Sequence, residues 1–222
     1  MKREIVFLLM LIFVFQFVSA IQVEIKDNFA QGETLTAKVS GNFLSLISKD
    51  NVFLYRRHVR VPMVFDIVQI EGDYYIYALL NKPAENYSLV LEGIKYMKGI
   101  EESEEDIWAN FTISEETADF SVIPGVMFTN NDFYLEVQNL QEVPIKIDYY
   151  VSGEILNNEE EEGFFDSIFG SGDNKEVNNE VGGENEGFVE LKSGEKKKIF
   201  FDYSKMNFDV FQNIILSSTN RL

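Results

Sequence analysis

The chain has 222 residues and a formal net charge of −18. Because like charges repel, we expect no nucleic-acid partner and no attraction to an anionic lipid surface. Cysteine is absent, which excludes disulfides, thiol catalysis and thiolate metal sites. The aromatic share of 14%, with 20 Phe and 10 Tyr, favours strands over helices.

The first 20 residues have the three parts of a secretory signal peptide. Two basic residues, Lys2 and Arg3, precede an apolar run at 5–18, and Ser19-Ala20 supply small residues at the end. The apolar run is shorter than the roughly 20 residues that a membrane-spanning helix needs. We therefore expect a signal peptide at 1–20, with an uncleaved anchor helix as the alternative. In both cases the protein is expected to be secreted or to work at the extracytoplasmic cell surface, contacting membrane only through an uncleaved leader.

Residues 21–113 show short segments in which apolar and polar residues alternate. Behind Gly32-Glu33, for example, Leu35, Ala37 and Val39 share one face of a predicted strand that ends at Gly41-Asn42. The other strands predicted here are 21–25, 52–61, 63–70, 74–80, 87–91 and 107–113. Short strands separated by turns are typical of an antiparallel sandwich, which buries the apolar side of both its sheets.

The alternation pauses at 114–118 and then resumes, so we expect a linker there between two domains, 21–113 and 119–222. The strands predicted in the second domain are 119–123, 133–139, 144–151, 188–191, 196–201 and 210–218. The fold class predicted for the whole chain is therefore all-β, with two antiparallel β-sandwich domains after the N-terminal segment.

An acidic segment at 153–187 interrupts the second domain. It contains 11 acidic residues and one basic residue, Lys175, and such a composition buries too little apolar surface to offset the entropy of ordering. We expect a disordered insertion. It includes one apolar patch at helical spacing, which we expect either to bind in a groove of a partner protein or to pack onto the domain itself. The patch consists of Phe164, Phe165, Ile168 and Phe169.

Several turn-and-strand patterns resemble the immunoglobulin-like modules of archaeal and bacterial secreted and cell-surface proteins, which serve in adhesion or as stalks. They are the Pro124-Gly125 turn, the strand that ends on Asn139, and the Gly194-Glu195 turn before a late strand. Phe29 with Gly32-Glu33 resembles the opening of a related module. The resemblance implies tandem immunoglobulin-like sandwiches with roles in adhesion, spacing or envelope assembly, and it supplies no catalytic residues. The acidic insertion departs from the pattern.

Candidate chemistry is sparse in this sequence. The single histidine, His58, excludes a two-histidine metal site, and no Gly-x-Ser-x-Gly motif accompanies it. Runs of carboxylates at 101–106 and 159–162 are expected to be solvated and unperturbed, which argues against an enzyme. Acidic residues at 173–176 lack the register of a calcium loop, so we expect no cofactor beyond weak binding of Ca²⁺ as a counterion.

Two N-glycosylation acceptor triplets occur, Asn86-Tyr87-Ser88 and Asn110-Phe111-Thr112. Both lie in predicted strands, where alternation lets the asparagine point outward. The expected use of Asn86 and Asn110 depends on an exporting cell that glycosylates asparagine, and chance occurrence is the alternative.

A basic run within the predicted strand 52–61 stands out in so acidic a chain. Alternation would place Arg56, His58 and Arg60 on one face and Arg57 on the other. They are expected either to neutralise nearby carboxylates such as Asp66 or Glu71, or to dock an acidic partner. That partner could be the 159–162 segment of another copy, which would give self-association.

These observations predict a non-catalytic, exported protein with a structural or adhesive role, acting through surface proteins or glycans. Two alternatives stay open: an accessory subunit that presents the phenylalanine patch to an envelope complex, and a carbohydrate-binding module. The second needs a row of exposed aromatic side chains, which Tyr75, Tyr77 and Trp108 could supply if all three faced solvent.

Overall fold

The computed structural model of the chain describes residues 21–153, 186–205 and 212–220. Apart from two short 3-10 turns at Lys49–Asn51 and Tyr203–Lys205, the regular structure of these residues is entirely strand. The predicted all-β class, built of several antiparallel sheets, is confirmed. Among the described residues, no helix is long and apolar enough to cross a membrane.

The first body, residues 21–117, consists of two sheets around one core. Its strands are β1 (Ile21–Ile25), β2 (Asn28–Gln31), β3 (Thr34–Gly41), β4 (Val52–Arg56), β5 (Val59–Val61), β6 (Val64–Ile70), β7 (Asp73–Leu79), β8 (Glu85–Lys98) and β9 (Glu101–Thr117). One sheet has the order β1-β3-β7-β6 and the other has the order β2-β9-β8-β4-β5. All neighbouring strands are antiparallel except β2, which pairs with β9 in parallel.

Alternation explains why these segments form a two-layered body. On β3, Leu35, Ala37 and Val39 are fully buried, as predicted, and on β8 the inward positions Leu89 and Leu91 are fully buried as well. Each sheet thereby contributes one apolar face to a shared core. Removing such faces from water is the main stabilising term for a chain without disulfides.

Strands β8 and β9 form a longer hairpin than the sequence predicted. They pair from Glu85↔Ile113 out to Lys98↔Glu101, so the acidic run 101–106 lies within β9, with its carboxylates exposed to solvent as expected. One of them is perturbed, since hydrogen bonds from Tyr96 and Ser103 lower the pKa of Glu105. Lysines on β8 face the carboxylates of the run, with Lys95 Nζ 3.6 Å from Glu104 Oε2. Opposite charges on paired strands therefore compensate for the acidity of this run.

Another prediction about a strand is wrong. Segment 52–61 is not one strand, because the chain turns at Arg57, which has a positive φ of 57°, and β4 and β5 pair as a hairpin. The expected linker 114–118 is largely strand, since β9 continues to Thr117. Only Ala118 and Asp119 separate β9 from the next strand.

The second body contains two three-stranded sheets in its described part. Its strands are β10 (Phe120–Ile123), β11 (Phe133–Asn139), β12 (Ile145–Gly153), β13 (Glu186–Leu191), β14 (Lys196–Phe201) and β15 (Gln212–Asn220). The sheet orders are β10-β11-β14 and β13-β12-β15. The buried core that they share is smaller than that of the first body and consists of Leu135, Val137, Ile145, Ile147, Leu191, Ile199 and Phe201.

The hydrogen bonds of the Asn139 side chain explain why β11 ends on an asparagine. Its side chain is fully buried, and its Nδ2 donates to the carbonyl oxygens of Val143 at 2.8 Å and Lys192 at 3.0 Å. Its Oδ1 accepts the N–H of Gln141 at 2.8 Å. A buried amide with its hydrogen bonds satisfied fixes the turn after β11 and ties it to the turn before β14.

Two turns, at residues 30–33 and 192–195, have the same construction. In each turn, the third residue is a glycine with a positive φ, of 81° and 68° respectively. The last residue is a glutamate that directly precedes a strand. The glutamate N–H donates to the carbonyl of the first residue, at 3.2 and 3.0 Å. Its carboxylate accepts the N–H of that same residue, at 2.8 and 2.7 Å.

The second of these turns should make folding stability depend on pH. The hydrogen bond from the Lys192 N–H, and the charges of Lys197 and Lys192, lower the pKa of Glu195. A carboxyl group whose pKa is lower in the folded than in the unfolded state stabilises the fold at pH values above its unfolded pKa. That stabilisation is lost as the pH falls through the folded pKa. Glu195→Gln should therefore lower the midpoint of urea unfolding at about pH 7. The difference in midpoint between variant and wild type should disappear near pH 3.

Glu116→Gln is the control, because the side chain of this exposed glutamate on β9 makes no hydrogen bond or ion pair among the described residues. Equal effects of the two substitutions at every pH would contradict the role given to the turn.

Candidate functional site

Aromatic side chains cover the outer side of the five-stranded sheet. Register places Phe53, Val90 and Trp108 side by side on three neighbouring strands. Val90 points away from the core and is nevertheless fully buried, while Trp108 is 50% exposed. The ring of Tyr55 lies 5.3 Å from that of Trp108. We call Phe53, Tyr55 and Trp108 the outer aromatic face.

A polar network fixes the orientation of Tyr55 within this face. Its hydroxyl donates to Glu92 Oε1 at 2.7 Å and accepts from Arg60 Nε at 2.7 Å. Arg60 also forms an ion pair with Glu92, and its guanidinium lies 3.8 Å from the centroid of the Phe53 ring. The hydrogen bond to Tyr55, followed by that to Glu92, raises the pKa of Arg60. The Tyr55 ring is thus held in one position beside Trp108.

The predicted basic strand is a hairpin with a different set of partners. Arg57 and His58 lie in the turn between β4 and β5, and both are exposed. Arg57 Nη2 is 3.0 Å from Glu85 Oε1, while the partner of Arg60 is Glu92. The expected neighbours were wrong, since Asp66 pairs with Lys49 at 2.8 Å.

Arg56 completes this set of basic residues. It ends β4, is exposed, and hydrogen-bonds to Tyr87, although burial raises the pKa of that tyrosine overall. Three of the four basic residues, Arg56, Arg57 and His58, therefore lie together at the exposed tip of one hairpin, whereas Arg60 packs against the outer aromatic face.

The expected row of Tyr75, Tyr77 and Trp108 does not form. Both tyrosines lie on β7 in the four-stranded sheet, and Trp108 lies on β9 in the other. Tyr75 is only 4% exposed, and its burial raises its pKa. Outward-facing aromatic rings do lie side by side elsewhere, on the outer aromatic face, where the rings of Tyr55 and Trp108 are tilted by 45° to each other. This face shares only Trp108 with the prediction.

The two glycosylation triplets lie opposite each other on β8 and β9. Asn86 pairs with Thr112, and Ser88 pairs with Asn110. Thr112 Oγ1 donates to Asn86 Oδ1 at 2.9 Å, and Ser88 Oγ donates to Asn110 Oδ1 at 2.7 Å. The hydroxyl of each triplet therefore holds the asparagine of the other. We call these four residues the sequon ladder.

Alternation points the sequon ladder toward solvent. The middle residues of the two triplets, Tyr87 and Phe111, are buried in the core, and their rings stack with centroids 6.0 Å apart. Asn86 and Asn110 are both exposed, as the alternation predicts. Together with Arg57, the ladder lines a shallow open cavity of about 460 Å³.

A second arrangement, at the joint between the two bodies, was not predicted. Thr34 Oγ1 donates to the carbonyl of Val122 at 2.7 Å and accepts its N–H at 3.1 Å. One hydroxyl on β3 thus satisfies both main-chain groups of a residue on β10. Ala118 N–H donates to Gln31 O at 3.0 Å, and Gln141 Nε2 reaches Thr117 O at 3.0 Å.

Close packing accompanies these hydrogen bonds. A Cβ on Gly125 would lie 2.9 Å from Tyr77 Cβ and 3.0 Å from Thr34 Cγ2, and one on Gly32 would lie 2.5 Å from Leu140 Cδ1. The Pro124-Gly125 turn of the resemblance therefore has a structural role, because only glycine lets the second body approach β3 and β7 so closely. No sequence signal identified these contacts, since their residues are distant in the chain, with Thr34 and Val122 88 positions apart.

Other candidate residues lie outside the described residues. They are the apolar patch Phe164, Phe165, Ile168 and Phe169, the acidic runs 159–162 and 173–176, and the predicted leader at 1–20. Across 21–153, 186–205 and 212–220, no three carboxylate or imidazole side chains come together as a metal site would require.

Comparison with known proteins adds little. No protein-family model matches the chain, and no curated protein matches it. Among solved structures, it is similar to a DUF4785 family protein from Legionella pneumophila, with 13% identity and a TM-score of 0.32, over 93% of this chain and 57% of that one. The chain therefore spans little more than half of that protein's length.

A second similar structure is a chimeric titin Z1Z2 functionalized with a KLER exogenous peptide from decorin. The identity is 16% and the TM-score 0.25, over 61% of this chain and 72% of that one. TM-scores this low carry no argument about the function of this chain.

The joint predicts that the two bodies reorient as one. Thr34→Val removes both hydrogen bonds to Val122 at a cost of about 1–3 kcal/mol, and should let the bodies move independently. Residual dipolar couplings measure this directly: one alignment tensor should fit both bodies in wild type, and two should be needed in the variant. Thr219→Val, an exposed substitution on β15, should still give one tensor. Two tensors in the wild-type protein would contradict the joint.

Proposed function

We propose that this is a non-catalytic, exported protein of the cell surface or envelope, with a structural or adhesive role. Its two bodies act as immunoglobulin-like modules, and the joint between them sets the direction in which the second module projects. The proposed partners are other surface proteins or glycans, and the role requires no cofactor and no nucleic acid.

Strand order supports the immunoglobulin-like assignment of the first body. Immunoglobulin domains have one sheet of strands A-B-E-D and another that contains G-F-C. When the strands of the first body are lettered in chain order, the sheet orders β1-β3-β7-β6 and β9-β8-β4 correspond to A-B-E-D and G-F-C. Strand β5 adds one strand beside the C position. The second body has A-B-E and C-F counterparts in β10-β11-β14 and β12-β15.

The joint is the observation that carries the proposal. A hydroxyl that bridges both main-chain groups of Val122, with the glycine contact at Gly125 beside it, gives a fixed geometry between the bodies. Fixed geometry suits a spacer or an adhesive stalk, whose task is to hold a surface at a set position. A flexible tether would need none of these contacts.

Charge supports a protein partner at one end of the first body. Arg56, Arg57 and His58 form an exposed basic tip on a chain of net charge −18, and such a tip favours an acidic partner. The acidic run 159–162 of a second copy fits that description, which keeps self-association in the proposal. Presentation of the apolar patch 164–169 to an envelope complex is the alternative role.

Protease treatment of intact cells tests the location and the role together. We expect peptides from 21–153 to be released without lysis, and we expect deletion of the protein to weaken adhesion or envelope integrity. When supplied to the deletion strain, Gly125→Leu, which disturbs the joint, should restore adhesion or envelope integrity only partly. Ser193→Leu, in an exposed turn, should restore it fully. Release of peptides only after lysis would overturn the proposed location, and full rescue by Gly125→Leu would overturn the spacer role.

A further inference from the structure

The two asparagines of the sequon ladder have different surroundings. On the outward side of β9, Asn110 lies between Trp108 and Thr112, and across the sheet its row continues through Ser88 to Tyr55. Both asparagines line the shallow cavity, but Asn86 pairs with Thr112 and so lies one residue pair further from Tyr55 and Trp108 on the same face. Only Asn110 therefore adjoins the outer aromatic face.

The carboxamide of Asn110 is presented for modification. Its Oδ1 accepts from Ser88 Oγ at 2.7 Å, which turns the amide so that Nδ2 is left for another bond. Within the described residues, no hydrogen bond uses Nδ2 of Asn110, and the residue is exposed. The Thr112 hydroxyl that completes the acceptor triplet lies on the same side of the strand.

Trp108 supplies the second observation. It is a large apolar side chain that is 50% exposed on a sheet surface, and its neighbour Tyr55 is locked by Arg60 and Glu92. The C–H groups on one face of a pyranose ring pack well on the negative face of an aromatic ring. Residues i and i−2 of a strand are neighbours on one face, so a sugar attached at Asn110 reaches Trp108 with its first ring.

We propose that Asn110 is an N-glycosylation site and that the first sugar of its glycan covers Trp108 and Tyr55. The bond that forms joins Nδ2 of Asn110 to the anomeric carbon of the sugar. The bond that breaks joins that carbon to a phosphate oxygen of a lipid-linked sugar donor, and the lipid phosphate leaves with the electron pair. A base of the transferase takes the amide proton. The inference needs the export of the proposed function, but not its adhesive role.

The ladder also sets a preference between its two asparagines. Asn86 and Asn110 are diagonal neighbours, roughly 7–8 Å apart in an antiparallel pair, so glycans on both would compete for the same surface. The glycan at Asn110 gains the aromatic contact, and a glycan at Asn86 gains none. Occupancy at Asn110 should therefore exceed occupancy at Asn86.

Trp108 is the only tryptophan in the chain, so its fluorescence reports on this contact alone. The full chain is placed behind the export signal of an N-glycosylating host, which makes secretion independent of its own leader. Glycopeptide mass spectrometry then measures occupancy, and acrylamide quenching measures the exposure of Trp108. Asn110→Gln and Asn86→Gln are the matched variants, since both keep an exposed amide.

We expect the glycan at Asn110 to lower the quenching constant by about half, because one face of the indole is covered. Asn110→Gln should restore full quenching, and Asn86→Gln should leave quenching low. Occupancy at Asn86 alone, no occupancy at either asparagine in the secreted chain, or equal quenching with and without the Asn110 glycan would each overturn the proposal. None of these outcomes bears on the adhesive role, which the cell experiment tests separately.

Discussion

The pairing of β8 with β9 in a single register is the constraint on which the first body depends. Because side chains alternate along a strand, that register sends Leu89, Leu91 and Phe111 into the core and Trp108 and Asn110 toward solvent. A slip of one residue would exchange the two sets. The buried faces of these strands are too apolar for such an exchange to be tolerated, so the core fixes the arrangement of the outer surface.

The same hairpin connects the core with the rest of the molecule. Because β9 continues to Thr117, the second body starts two residues after a strand that the first core holds in place. The contacts of Thr34 and Gly125 then complete the joint. At the other end of the sheet, the Arg60, Glu92 and Tyr55 network stiffens the outer aromatic face. The five-stranded sheet thus carries the outer aromatic face and leads into the second body through β9, while the four-stranded sheet supplies the Thr34 and Gly125 contacts of the joint.

Local alternation was enough to predict the all-β class and most of the strands, because a half-buried strand carries its own period of two. It failed where the deciding contact is distant. Arg57 allows a turn that no glycine or proline marks, and the acidic run 101–106 is strand because it pairs across the hairpin with β8, whose lysines face its carboxylates. The outer aromatic face was missed for a related reason, since Phe53 and Trp108 become neighbours only through Val90, on the strand between them.

Paired cysteines test the register of β8 and β9 directly, in a chain that has none of its own. Directly opposite residues come within about 4.5–5.5 Å at Cβ, close to what a disulfide needs, whereas diagonal residues are roughly 7–8 Å apart. Ser88→Cys with Asn110→Cys, and Asn86→Cys with Thr112→Cys, should each oxidise readily in the folded protein, and Asn86→Cys with Asn110→Cys should not. Preferential oxidation of the diagonal pair would contradict the register and everything derived from it.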